Sequence, residues 1–275
     1  MAKKLFLFVM LVVMFCSSCA FADDSVKVGI LTMLNMTPEE FSAGVAGVRE
    51  AGKIKMFSLA GTRGRIVFSF YDSLNTLQMA LNKGDVDEIS LPEPVGEYML
   101  NTNSDYEVAA IVKTEPVSLS FGFRKSDDSG MRDKFNEALR SMREDGTLAI
   151  IVSKFITEPG TDKPEPINFI RYDNAKTVKV AVTGDLPPVD YVAADGTAEG
   201  FNIAILAEIA RRLHINVELV HVDAEARAAS LASGRSDIVF WFQWVKGYKN
   251  GDATDEIVLS EAYFSWDEIL HIKKK

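Results

Sequence analysis

"GDLPPVDYVAADGTAEGFNIAIL", residues 184–206, sits about two thirds of the way along a chain of 275 residues and reads as the opening of an α/β unit. The alternating apolar run "VKVAVT" (178–183) precedes it and the helical run "AILAEIARRL" (204–213) ends it. Between them lie a Pro-Pro bend and an acidic-glycine hairpin. Strand, loop, hairpin, helix is the usual entry to a sheet with helices packed on it. The question it poses is why a chain with so much sequence already behind it starts again here.

Working outward, the pattern continues with strand "NVELVHV" (216–222), helix "EARAASLASG" (225–234) and strand "SDIVFWF" (236–242). In helix 201–213, Ile205, Leu206, Ile209 and Leu213 fall on one face. Upstream, strand "VKVGIL" (26–31) leads to a helix opened by Thr37, Pro38 and Glu40, a capping box with proline in the first turn. Then come β-rich "KIKMFSL" (53–59) and "RIVFSF" (65–70), helix "SLNTLQMALNKG" (73–84) and strand "VDEISL" (86–91). Strand "VSLSFGFRK" (117–125) precedes helix "GMRDKFNEALRSMREDG" (130–146), with Met131, Phe135, Leu139 and Met142 on one face. Pro159, Pro164 and Pro166 mark a linker. Residues 23–160 thus read as an early lobe, 161–175 as the linker and 176–275 as a late lobe. The phrases "ALNKGDVDEISL" (80–91) and "SLASGRSDIVFW" (230–241) echo each other: helix end, glycine stop, an aspartate three residues on, then a strand. Any αβ unit needs a glycine stop, so the echo alone is thin support for duplication.

Residues 1–22 carry Lys3 and Lys4, an apolar run and Ala20 and Ala22 before Asp23, which reads as a cleaved secretory leader. A retained membrane anchor and a lipid on Cys19 are the alternatives. Removing residues 1–22 takes two lysines and no acid, so the net charge moves from −9 to −11. That balance argues against nucleic acid and anionic membrane as partners. Both cysteines, Cys16 and Cys19, lie in the leader, so the rest of the chain has no disulfide and no thiol chemistry. No H-E-x-x-H, G-x-S-x-G or phosphate-loop motif is present. His214 and His221 read as surface residues.

The phrases "VKVAVTGDLPPVDYVAADGTAEGFNIAILAEIARRL", "SLASGRSDIVFW" and "VLSEAYFSWDEILHIKKK" (258–275) resemble successive parts of the first lobe of type II periplasmic solute-binding proteins, family 3. "YDSLNTLQMALNKGDVDEISLPEPVGEYML" (71–100) and the stretch from Ser118 to Ile156 resemble that family's second lobe. The resemblance therefore implies an α/β, two-lobed type II periplasmic-binding-protein-like fold with its lobe order circularly permuted. One crossing between lobes is expected near Ser118–Lys125 or the linker after it, the other near Leu259–His271. Two α/β lobes joined by these two crossing segments are expected; one continuous sheet, or two lobes each complete and unconnected by sheet pairing, counts against the permutation.

The same resemblance implies a periplasmic or extracellular monomer, with no cofactor, that captures a small solute between its lobes. The partner is an ABC permease or, alternatively, a sensor protein; a dehydratase-like enzyme on this fold is the remaining alternative. Asp185 and Tyr191 fall in the loop after the late lobe's first strand, where Asp185 alternatively caps the turn and Tyr191 packs the hairpin. Trp241, Gln243 and Trp244 follow the strand "SDIVF", as a crevice wall or as core. Asn35 and Thr37 stand at a helix N-terminus, which favours anions, or Thr37 only caps. Amino-acid binders of the family carry an arginine after the strand ending near Trp241, and an acid for the ligand ammonium after the early strand. Here "WVKGYKNGDATDE" has lysines only, and Glu93 is displaced behind Leu91 and Pro92. "GFN" replaces the usual G-F-D. Free amino acids are therefore expected to bind weakly.

Overall fold

The computed structural model describes residues 25–32, 66–158, 166–193, 196–223, 226–245 and 256–275. The leader, Asn35, Thr37, strand 53–59 and the first part of the linker lie outside them. Two parallel sets of strands form the frame. The first is β1 (Val26–Leu31), β2 (Ile66–Tyr71) and β3 (Glu88–Pro92), with helices α1 (Leu74–Lys83) and α2 (Glu93–Thr102). The second is β5 (Thr177–Val182), β9 (Asn216–His221) and β10 (Ile238–Val245), with α5 (Phe201–Leu213) and α6 (Arg227–Ala232). Between them run the long strand β4 (Tyr106–Arg124) and β12 (Phe264–Lys274), and helices α3 (Met131–Glu144) and α4 (Thr147–Val152) follow β4.

The sheet is mixed and continuous: nine strands in the order β2-β1-β3-β12-β4-β10-β5-β9, with β11 (Ile257–Leu259) pairing β4. A single continuous sheet counts against the circular permutation that the resemblance implies. The physical reason is β4, whose Tyr106–Leu119 stretch pairs with β12 while its Val117–Phe123 stretch pairs with β10. A strand of that length takes partners from both sets, and its pairing shifts register near Pro116, which has no N–H to give the ladder. The sequence reading found only the second part of β4. Its first part, "YEVAAIVKTEP", breaks alternation with charges and proline.

The order is palindromic: each end reads second, first, third strand of its set, then an antiparallel neighbour. The echoed phrases occupy matching places. Gly84 and Gly234 take φ of 78° and 73° after α1 and α6, the left-handed conformation glycine adopts at little cost. Asp87 Oδ2 then accepts from the Lys27 N–H at 2.8 Å, and Asp237 Oδ2 from the Lys179 N–H at 2.9 Å. In each set the aspartate after the glycine stop ties the next strand to the first.

Packing does not follow the boundary drawn at residues 161–175. Helices α3 and α4 pack on α5, and Arg212 of α5 reaches Ser141, Asp145 and Thr147. Conversely β12, from the end of the chain, pairs with β3. One core runs through both sets, from Leu77, Ile89 and Leu91 to Phe121, Phe201 and Ile205. Helix α5 spans the residues expected, with Ile205, Leu206 and Ile209 buried; Leu213 is only partly so.

Candidate functional site: a crevice between facing strand ends

Strand directions decide where a ligand fits. β12 runs antiparallel to β3 and to β4, so β4 points the same way as β1, β2 and β3. β10 runs antiparallel to β4, and β5 and β9 follow β10. The first set lies beside the start of β4 and points toward its end; the second lies beside its end and points back. The carboxyl ends of the two sets therefore face each other. In open α/β sheets ligands bind at such ends. Pro92, at the end of β3, lies through Ile269 opposite Val112, and Val245, at the end of β10, lies opposite Val117. That offset is five residues along β4 but three along its partner β12, because β4 bulges between them, so it corresponds to about 10 Å. Lys113 of β4 and Asp267 and Glu268 of β12 lie in that interval, joined by ion pairs of 3.7 and 3.2 Å. The strands thus pass between the sets over 113–117 and 266–268. The second falls where the sequence placed a crossing; the first comes just before the expected Ser118.

On the second wall, the loop after β5 forms a three-stranded hairpin unit of β6 (Asp185–Leu186), β7 (Asp190–Val192) and β8 (Ala198–Glu199). Its carbonyls cap α5: Phe201 N–H donates to Pro188 O and Asn202 N–H to Val189 O. Gly200 joins them with φ of 113°, and a Cβ there would meet both carbonyl oxygens at 2.8 Å. Only glycine fits this approach. The Pro187–Pro188 peptide is cis.

Under the hairpin lies a buried polar cluster. Thr183 Oγ1 donates to Asp190 Oδ1 at 3.4 Å, while Asp190 Oδ2 is buried with no hydrogen bond. Burial pushes the Asp190 carboxyl up to about 6 against the pull of Arg227, and Asp185 adds to the rise. Asp185 is also raised, by burial first, with Thr183 and Arg227 opposing. Arg227, only 2 % exposed, donates toward Phe240 O at 3.5 Å. Tyr263 Oη donates to Asn202 Oδ1 at 2.9 Å, and burial raises its phenol well above the ordinary value. Asn202 is the residue at the family's usual acid position, and its Nδ2 is buried without a hydrogen-bond partner.

The predicted residues separate as follows. Tyr191 donates to Glu199 Oε2 at 3.0 Å; its phenol is raised by burial and, in lesser part, by Tyr98 of α2, on the opposite wall. Helix α1 touches β6. Asp185 and Tyr191 thus stand where the two sets meet. Glu93 begins α2 at the end of β3, and its carboxyl is raised by burial, then by Glu97, Glu268 and Asp267. Trp241, Gln243 and Trp244 do not follow a strand end as expected: β10 continues to Val245, with an irregularity between Val239 and Phe242, because β4 supplies a partner that far. Gln243 pairs with Leu119 and Trp244 with Ser118. Asp190, Asn202, Arg227, Tyr263 and Tyr98 are not among the residues expected from sequence to contact a ligand. The aspartate beside Tyr191 and the odd "GFN" were the available signals; Arg227 and Tyr98 had none.

A second hollow, of about 450 Å³, is lined by Arg124, Ser126, Ala229, Leu231, Glu256 and Ile257. It lies at the amino end of β10, away from the crevice, and the Arg124 guanidinium there already serves Leu231 O, Ser236 O and Asp237.

Residues 178–244 match the family model of bacterial extracellular solute-binding proteins, family 3, so the resemblance is shown for that segment, about a quarter of the 275 residues. No curated protein matches the chain. Among solved structures, a zinc-bound ligand-binding component of an ABC-type import system from Staphylococcus aureus is similar at 11% identity and TM-score 0.47. The alignment covers 91% of this chain and 66% of that one. The BvgS VFT2 domain of Bordetella pertussis is similar at 14% identity and TM-score 0.44, covering 91% and 81%. A putative L-cystine ABC transporter protein from Listeria monocytogenes is similar at 10% identity and TM-score 0.45, covering 91% and 83%.

Proposed function

We propose that the chain is a secreted, monomeric solute-binding protein that holds a small molecule in the crevice between two lobes and hands it to an ABC importer. The observation that carries this is that the family-model segment 178–244 supplies one of the two facing sets of strand ends. One lobe comprises β1–β3, α1, α2, the first part of β4 and β12. The other comprises the rest of β4, α3, α4 and the strands and helices from β5 to β11. The continuous sheet counts against the permuted lobe order that the resemblance implies; the two connecting strands act as the hinge on which the crevice closes. Asp185, Tyr191 and Glu93 line it; Trp241, Gln243 and Trp244 belong to the last part of β10, and Asn35 and Thr37, expected to contribute from the chain after β1, lie outside the described residues. Presentation of the loaded state to a sensor instead of a permease uses the same crevice, and a pull-down from membranes separates the two. An enzymatic reading gains little from Asp190, because a carboxyl 1 % exposed cannot reach a substrate.

Tryptophan fluorescence tests the proposal. A bound solute should shift emission, and Tyr191→Ala or Trp244→Ala should weaken binding at least tenfold while keeping the circular dichroism spectrum. If a solute binds and both variants bind it unchanged, the site assignment is wrong.

A further inference from the structure

A sheet that runs from one strand set into the other resists rotation of the sets, so the joint between them decides whether the crevice can close. Among the described residues one ladder crosses from set to set, that of β4 with β12. Both strands are described through the crossing, and they do not match in length. A small surplus in β4, Ala109, lies opposite the step from His271 to Ile272. The larger surplus falls at the crossing itself. Thr114, Glu115 and Pro116 stand against Asp267 alone, between Lys113, paired with Glu268, and Val117, paired with Trp266. Residues in excess are left without a ladder partner on the facing strand, and the pairing is broken there. Pro116 adds a position with no N–H to give.

The two sides of this break are held differently. On the side of the second set the ladder resumes in the core: Trp266 and Val117 are 6 % and 8 % exposed, and Trp266 lies against Phe264 with ring centroids 6.0 Å apart. On the side of the first set it resumes at Lys113 and Glu268, an ion pair of 3.2 Å whose lysine side chain is 73 % exposed. A pair so placed in water holds little. Pro116 and Asp267 are themselves exposed, so movement at the break drags no buried group into solvent.

We propose that the hinge is asymmetric: β12 pivots at Asp267, while the surplus of β4 at Thr114–Pro116 is the slack that lengthens and shortens as the sets rotate. This rests on the closing-crevice reading above and gives the hinge its working part. Three unpaired residues can change their backbone angles without breaking a bond to β12, which is what a hinge segment must do. Strands paired one to one through the joint would lose ladder bonds with every rotation.

Spin labels test the proposal without a ligand, because the chain from residue 23 has no cysteine of its own. Met79→Cys on α1 and Ile150→Cys on α4, both exposed, report the distance between the sets by double electron–electron resonance. Ile150→Cys with Arg235→Cys lies within the second set and gives the width of a rigid pair. The pair between the sets should be at least twofold broader than the rigid one. A variant lacking Glu115 and Pro116 restores one-to-one pairing, with Thr114 opposite Asp267, and keeps every side chain on its face because two residues are removed. It should narrow the distribution between the sets at least twofold, with an unchanged circular dichroism spectrum. Pro116→Gly keeps the chain length and frees the bulge, so it should broaden the distribution; if the shortened variant does not fold, Pro116→Gly alone decides. A folded shortened variant as broad as the parent, or, failing that variant, Pro116→Gly no broader than the parent, overturns the slack in β4 and leaves the hinge standing. A parent no broader than the rigid pair overturns the hinge as well.

Discussion

At the scale of single residues, Asp190 states what the second wall costs the empty fold. Its carboxyl is raised from an ordinary value of about 4 to about 6, so between those values the folded state binds more protons than the unfolded one. Stability then falls as pH rises through that window. Asp190→Asn should therefore raise the melting temperature at pH 8 by the equivalent of about 2–3 kcal/mol. The gain should shrink toward zero below pH 4, where the parent carboxyl is neutral in both states. A denaturation series over pH reads this, and a variant that is less stable at pH 8 would show the charged form to be structurally required. The sequence named Asp185 and Tyr191 because a loop after a first strand is a known place for ligand contacts. It could not name Arg227, whose position beside them comes from the way α6 packs beneath β10. Tyr98 was equally out of reach, since only the meeting of the two sets brings it near Tyr191.

At the scale of elements, two joints carry the fold, and both were partly legible. Gly200 closes the hairpin onto α5, and the phrase "GFN" announced a tight turn before a helix. Gly200→Ala sets a Cβ against two carbonyl oxygens at 2.8 Å and should cost about 2–4 kcal/mol; equilibrium urea unfolding measures it, and a cost under 1 kcal/mol would mean the joint relaxes. The second joint is the repeated aspartate clamp. Its spacing was visible as an echo, but its purpose, bonding back to the first strand's backbone, needed the structure. Asp237 also holds Arg124, at 3.2 Å, whereas Asp87 stands exposed and bonds only Lys27 among the described contacts. Asp237→Ala should therefore lower the melting temperature more than Asp87→Ala. Equal losses, or the reverse order, would show that the Arg124 contact adds nothing. Periodicity exposed the helices well, because α3 and α5 each keep one apolar face. It failed for the first part of β4, where Lys113 and Pro116 interrupt the alternation that marks a half-buried strand.

At the scale of the molecule, the repeated opening at Gly184 marks the start of the second strand set. The resemblance implied two lobes with two crossings between them; it did not give the partners on the far side, where α3 and α4 pack on α5 of the second set and β12 pairs with β3 of the first. That exchange of ends is a matter of long-range pairing, which no local pattern spells out. It also makes the sheet continuous, so the carboxyl ends of the two strand sets face one another. The central claim is that a solute sits between both walls. Hydrogen exchange with the tightest-binding solute at saturation tests it most directly, read by mass spectrometry over the whole chain. The account predicts slowed exchange in residues 183–192 and in 93–100 together, with the Arg124 hollow at 228–232 unchanged. Protection confined to one wall, or centred on that hollow, would contradict it.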